Sequence, residues 1–117
     1  MSKYFSQAEQ ECPHCHVNHV DPAFLKRLDE LREEFGRPIS VSSMYRCAVH
    51  NAAVGGVPAS QHLNGIAADL FVANMTAVDK YLLLKAVVKL GFTVGVRDDI
   101  LHVDIRPGLP IYFTYKS

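Results

Sequence analysis

A chain of 117 residues, 49% of them apolar and with twelve acidic side chains set against twelve basic ones, holds enough material for one hydrophobic core and too little for two. The balanced charge argues against a nucleic-acid binder, whose footprint is a basic surface. No apolar run nears the ~18 residues that a membrane span requires, and Met1 to Ser6 offers no apolar secretory core. We therefore expect one domain over residues 1–117, made in the cytoplasm and acting as a monomer.

The first twenty residues contain Cys12-Pro-His-Cys15-His16-Val-Asn-His19. Two cysteines three apart followed by two histidines offer up to four ligands for a structural zinc, although a ring closed between Cys15 and His19 is tight. The competing readings are that these cysteines simply pack, or that Cys12 or Cys15 pairs with Cys47 in an oxidising setting. Asp21-Pro22 then reads as an N-cap and first helical residue. Phe24, Leu25, Leu28, Leu31 and Phe35 recur at helical spacing with charges opposite. Gly36 and Pro38 stop the pattern, which predicts a scaffold helix over 22–35.

Ile39 to Arg46 alternates in strand fashion and delivers Tyr45 and Arg46 at its end. A short helical turn follows over 48–53, and Gly55-Gly56-Val57-Pro58 reads as a loop. Ala67 to Val72 is a second strand. Thr76 and Asp79 are spaced as a capping pair for a second helix, whose buried side is assigned to Val78, Tyr81, Leu82, Val87, Val88 and Leu90, with Gly91 ending it. Phe92 to Val96 and Leu101 to Ile105 form two strands joined by Arg97-Asp98-Asp99 as a hairpin. The tail, with Ile111 to Tyr115, either adds an edge strand or docks on the core. Helices and antiparallel strands in this order predict an α+β domain with a small central sheet.

Chemistry concentrates in Ser60-Gln-His62-Leu-Asn-Gly65-Ile-Ala67-Ala68-Asp69. Imidazole and carboxylate are zinc ligands, and a catalytic zinc has three protein ligands with a fourth position left to water. Asp69 precedes Leu70-Phe71-Val72, so it is a carboxylate inside an apolar strand, and such a group normally needs a pair or a metal. The best candidate for the third ligand lies in the run Asp99 to Arg106, which contains His102. In the run Asp99 to Arg106, side chains at every second position share a face, so His102, Asp104 and Arg106 are expected to point together toward His62 and Asp69. The bland reading is a set of surface or hydrogen-bonded polar groups on a solvated hairpin. His50 is a tempting fourth ligand, for which a pocket-lining or capping role is the better assignment, while Ser60 and Gln61 are at best supports of the metal site.

Several of these stretches, in order, resemble the M15 peptidases: Ser43-Met-Tyr45-Arg46, His50-Asn51, Val54-Gly55-Gly56, Ser60-x-His62-x-x-Gly65-x-Ala67-x-Asp69 and His102-x-Asp104. These are zinc-dependent D-alanyl-D-alanine carboxypeptidases and L-alanyl-D-glutamate endopeptidases, many of them from bacteriophages, and the similarity runs from about Phe5 to Arg106. The resemblance implies a hedgehog/DD-peptidase-like fold and Zn2+ held by His62, Asp69 and His102. It also implies an acid shortly before the third ligand, here Asp99, as general base, with Asp98 adjacent to it. Arg46 becomes the cation facing a peptidoglycan peptide substrate, and Asp104 the group that orients a ligand imidazole. An endolysin-like enzyme without a signal of its own would reach the wall by other means, such as release from a phage-infected cell. A metal-containing recognition module on the same scaffold is the competing function.

Overall fold

The computed structural model describes residues 2–56 and 60–115, so Val57 and Pro58 of the expected glycine loop lie outside the described residues. Helix α1 (Gln7–Gln10) begins at a reciprocal capping box in which Ser6 accepts from the Glu9 backbone and Glu9 accepts from that of Ser6. The signal was in the sequence as Ser-x-x-Glu, but one turn is too short to show an apolar periodicity. Helix α2 (Pro22–Phe35) has the expected bounds. The Asp21 carboxylate accepts from the Ala23 N–H at 2.8 Å, and Gly36 closes the helix at φ 79°, where a side chain would be strained.

Strand β1 is shorter than the alternation suggested, Val41–Ser43, and its register with the next strand shifts between those two residues. Arg46 therefore lies beyond the strand. Its position is fixed by loop hydrogen bonds, the Tyr45 N–H donating to the Gln10 carbonyl at 3.1 Å and the Arg46 N–H to that of His62 at 3.3 Å. Helix α3 (Ala48–Ala53) and strand β2 (Ala67–Phe71) follow.

Helix α4 (Ala77–Lys89) starts where Thr76 accepts from the Asp79 N–H at 3.1 Å. The other half of the expected box is absent, since the Asp79 carboxylate pairs with Arg37 instead. The buried side assigned from sequence is corrected by the structure. Leu83, Ala86 and Val87 face the core, whereas Val78, Tyr81, Leu82 and Val88 are exposed. This helix is apolar almost all round, so periodicity alone does not choose a face. The winning stripe, completed by the half-buried Leu90, has i, i+3, i+4, i+7 spacing and a small residue at its centre.

Strands β3 (Thr93–Val96) and β4 (Ile100–Asp104) form the hairpin, and β5 (Tyr112–Thr114) adds an edge strand. The sheet runs β1-β2-β4-β3-β5, antiparallel throughout except for the parallel β3/β5 pair. Its two faces have separate duties. Ala68, Leu70, Val94, Leu101 and Val103 join Phe24, Leu28, Leu31, Leu83 and Val87 of the helices in one core. The alternate residues, Ala67, Asp69, His102, Asp104, Thr93 and Gly95, lie on the opposite face in register with one another. The α+β domain thus sets a row of mostly polar side chains on the sheet face opposite this core.

Candidate metal centre

The register pairs Asp69 of β2 directly with His102 of the central strand β4. His62 arrives from the turn before β2, where Gly65 at φ 71° allows a close approach: a Cβ there would stand 2.0 Å from the His19 carbonyl oxygen. The result is a tight trio. Asp69 Oδ1 lies 3.2 Å from His62 Nε2 and 3.1 Å from His102 Nδ1, and all three residues are at least nine-tenths buried.

The partners on the far side of each ring decide what this trio can bind. His62 Nδ1–H donates to the Met44 carbonyl at 2.6 Å, and His102 Nε2–H donates to Asp104 Oδ2 at 2.7 Å. In its neutral form each ring then turns an unprotonated nitrogen toward Asp69 Oδ1. Three acceptors converging at such distances repel unless a metal ion or protons on the imidazoles sit among them. Ligand atoms held 2.0–2.1 Å from a tetrahedral ion stand about 3.3–3.4 Å apart, close to the two separations observed. The donor set, two imidazole nitrogens and one carboxylate oxygen, is one that zinc accepts, and the outer partners are of the kind that orient metal-bound histidines.

Charge inside the site is arranged to match. Burial acts to raise the proton affinity of Asp69, but the contacts with His102 and His62 outweigh it and hold the carboxyl far below the usual range. At His102, burial opposes a positive charge, yet Asp104 and then Asp69 pull its affinity for a proton upward. Asp104 is fully buried. Desolvation pushes its pKa up, and hydrogen bonds from His102 and Arg106 bring it down to about 2.

Arg46 Nη2 donates to Asp69 Oδ2 at 2.8 Å, Nε to Ser43 Oγ at 3.1 Å and Nη1 to Asn51 Oδ1 at 3.2 Å. The guanidinium thus holds the Asp69 oxygen that the imidazoles do not face. Gly56 closes over this pair, since a Cβ there would stand 2.1 Å from Asn51 Oδ1 and 3.1 Å from Arg46 Nη1.

A cleft of about 260 Å³ opens in front of the trio. Arg46, Ser60, Gln61, His62, Asp69, His102 and Arg106 line it, as the sequence grouped them, and so do Arg97, Phe113 and Tyr115, which the sequence did not place in the site. Phe113 packs over Gly95, where a Cβ would meet its ring at 2.5 Å, and against His102 with centroids 5.7 Å apart. The Tyr115 hydroxyl is buried and has no hydrogen-bond partner among the described residues. Burial and then the charge of Asp69 push its pKa up to about 12, so it remains a donor.

Two sequence-selected groups lie elsewhere. Asp99 is not among the described residues lining the cleft; its half-exposed carboxylate accepts from Arg97 Nε at 2.7 Å and Nη2 at 3.3 Å. His50 also stands off the cleft and stacks on His14 at a centroid distance of 6.4 Å.

A family model described as Peptidase M15 matches residues 3–104. No curated protein matches the chain.

Proposed function

The chain belongs to the M15 peptidase family, and from that premise we propose that it is a zinc-dependent hydrolase of an amide bond in peptidoglycan stem peptides, acting as a D-Ala-D-Ala carboxypeptidase or an L-Ala-D-Glu endopeptidase. The observation that carries the zinc assignment is the convergence of His62 Nε2, Asp69 Oδ1 and His102 Nδ1, with the other nitrogen of each ring already committed as a donor. A zinc ion held there supplies the acidification of a water and the polarisation of a carbonyl.

The protein's own groups supply the rest. Met44 and Asp104 fix the tautomers of the two imidazoles, so that metal-facing lone pairs are set before any ion enters. Arg46, Arg97 and Arg106 place three guanidinium groups around the cleft, a suitable wall for the carboxylates of a stem peptide, because a planar fork of donors matches a carboxylate. Arg46 stands nearest the trio through Asp69, where it is placed to stabilise oxyanion charge on the substrate or to anchor a carboxylate. Asp99, which pairs with the cleft-lining Arg97, is assigned as the proton acceptor.

The three contacts of Arg46 lead to a specific expectation. Arg46→Lys removes the fork that joins Asp69, Ser43 and Asn51, and we expect activity to fall about 10- to 100-fold, the usual scale for a group supporting a metal ligand. Zinc affinity measured by chelator competition should weaken with it, because Asp69 loses its partner. Near-normal turnover in this variant would remove Arg46 from the mechanism.

Tyr115→Phe carries opposite signs for stability and activity. Deleting an unsatisfied buried hydroxyl relieves a penalty of about 1 kcal/mol or more, so the melting temperature should rise. If that hydroxyl donates to bound substrate, KM should climb by about 2- to 12-fold, the value of one neutral hydrogen bond. Unchanged KM would show that the hydroxyl does not meet substrate.

The competing function is a non-catalytic metal module that recognises wall peptides, and the engagement of Asp99 by Arg97 is the observation in its favour. Incubating purified protein with sacculi and defined muropeptides, with and without chelator, separates the two. Zinc-dependent release of fragments, identified by mass spectrometry, supports hydrolysis and names the bond. Binding without release would sink the enzyme reading.

A further inference from the structure

The site just described leaves a second set of soft ligands unused, one of them the residue that follows Arg46 in the chain. Cys12 and Cys15 sit on one tight turn, in which the His16 N–H donates to the Cys12 carbonyl at 2.8 Å and the Cys12 N–H to that of Val17 at 2.9 Å. His16 takes a left-handed conformation there, φ 58°. The turn brings the Cys12 and Cys15 sulfurs to Cys47, so that all three lie within 4.8 Å of one another. His14, from the same turn, places Nδ1 3.7 Å from Cys47 Sγ. The histidines favoured by spacing are engaged elsewhere, His16 with Glu11 and His19 against the Tyr45 ring.

We propose that Cys12, Cys15 and Cys47, with His14 as the fourth ligand, hold a second zinc ion whose role is structural. The separations carry the idea. Two thiolates bound at ~2.3 Å to a tetrahedral zinc stand about 3.8 Å apart, and a thiolate and an imidazole nitrogen about 3.6 Å. Cys12 Sγ and Cys47 Sγ are 3.7 Å apart, as are Cys47 Sγ and His14 Nδ1. A disulfide, by contrast, would need about 2.05 Å, and it would leave the third thiol and the histidine without a purpose. Backbone donors are already aimed at the sulfurs: the Cys47 N–H reaches Cys12 Sγ at 3.5 Å, and the His50 N–H reaches Cys47 Sγ at 3.4 Å. Such donors favour thiolates, the form that binds metal.

The consequence reaches the cleft through the chain itself. Cys47 follows Arg46, and the N-terminal segment already grips the same loop through Gln10 and Tyr45. A metal tying Cys12 and Cys15 to Cys47 would hold Arg46 against Asp69. The inference does not depend on peptide hydrolysis.

The test uses the full chain, purified without reductant or chelator. Metal analysis should find two zinc ions per wild-type chain, and one in each of Asp69→Ala and Cys47→Ser. After replacement by cobalt, a thiolate-to-metal charge-transfer band should appear in the wild type and persist in Asp69→Ala, since the His62/Asp69/His102 set contains no sulfur. Cys47→Ser should abolish the band. Should that variant fail to fold, the exposed Cys15→Ser must still weaken it. Absence of the band from cobalt-loaded wild type, or a Cys12–Cys47 disulfide in a non-reduced digest, would overturn the proposal. A chain that shows the band but cleaves nothing would leave this site standing while sinking the peptidase reading.

Discussion

His62→Ala, Asp69→Asn and His102→Ala are each expected to bring hydrolysis below detection and to cost the chain one zinc ion. The histidine variants each remove one of the three atoms that converge at 3.1–3.2 Å and Asp69→Asn removes the negative charge of the third, and two full ligands in a site open to water do not hold zinc in competition with a chelator. The three variants differ in side effects, and the differences are informative. Removing His62 leaves the buried Met44 carbonyl without its donor, and removing His102 leaves the buried carboxylate of Asp104 dependent on Arg106 alone. Asp69→Asn is the most conservative, because the amide keeps the volume and can still accept from Arg46. A carboxylate exchanged for an amide should therefore lose metal with little loss of fold. Asp104→Asn, one step further out, should cost only about 10- to 100-fold. Metal content and turnover measured together check the order. Full zinc occupancy in Asp69→Asn would remove that residue from the ligand set.

The sequence made this trio legible because each part of it leaves a local trace. A carboxylate between Ala68 and Leu70 stands out in an apolar strand, and His102-x-Asp104 shows its common face through the period of two. The caps of α2 were equally plain, since Asp21, Pro22 and Gly36 each act within one turn of where they stand. Local signals were enough there. Where the deciding interaction is long-range, the trace disappears. Phe113 and Tyr115 enter the cleft because β5 pairs in parallel with β3, Gly95 facing Phe113, and nothing near either residue announces that pairing. The α4 face failed for a related reason: Val78, Tyr81, Leu82 and Val88 look like core and are exposed, because packing against α2 and the sheet selects the narrower stripe around Ala86.

Spacing alone pairs Cys12 with Cys15, but the approach of the Cys47 sulfur to both is tertiary. Spacing offered His16 and His19 as the remaining ligands, whereas the fold supplies a cysteine 35 positions from Cys12 and the intervening His14. Ligand sets split across a chain are visible from sequence only when both halves carry a recognisable motif, as His62-x6-Asp69 and His102-x-Asp104 do.

Asp99→Asn is expected to lower the catalytic rate by roughly 10²-fold or more, the usual contribution of general acid-base help, with zinc content unchanged because Asp99 touches none of the three ligands. The residue was chosen for its place three before His102, and the hairpin turn directs it to Arg97. That pairing shapes a second, sharper expectation. Arg97, foremost by its hydrogen bonds, holds the Asp99 carboxyl below its ordinary pKa, so the group stays ionised, and ready to accept a proton, to lower pH than a lone aspartate would. Arg97→Gln should therefore shift the acidic limb of the rate profile upward, toward the ordinary carboxylate value of about 3.9, if Asp99 sets that limb. A limb that does not move, beside a large loss in Asp99→Asn, would mean that Asp99 helps to organise the mouth through Arg97 and does not itself carry the proton. If Asp98→Asn rather than Asp99→Asn produced the rate loss, the base would move by one residue along the turn with the metal chemistry intact. Were neither substitution to slow the reaction, no carboxylate of this turn would serve as base, and the engagement of Asp99 by Arg97 would favour the recognition module.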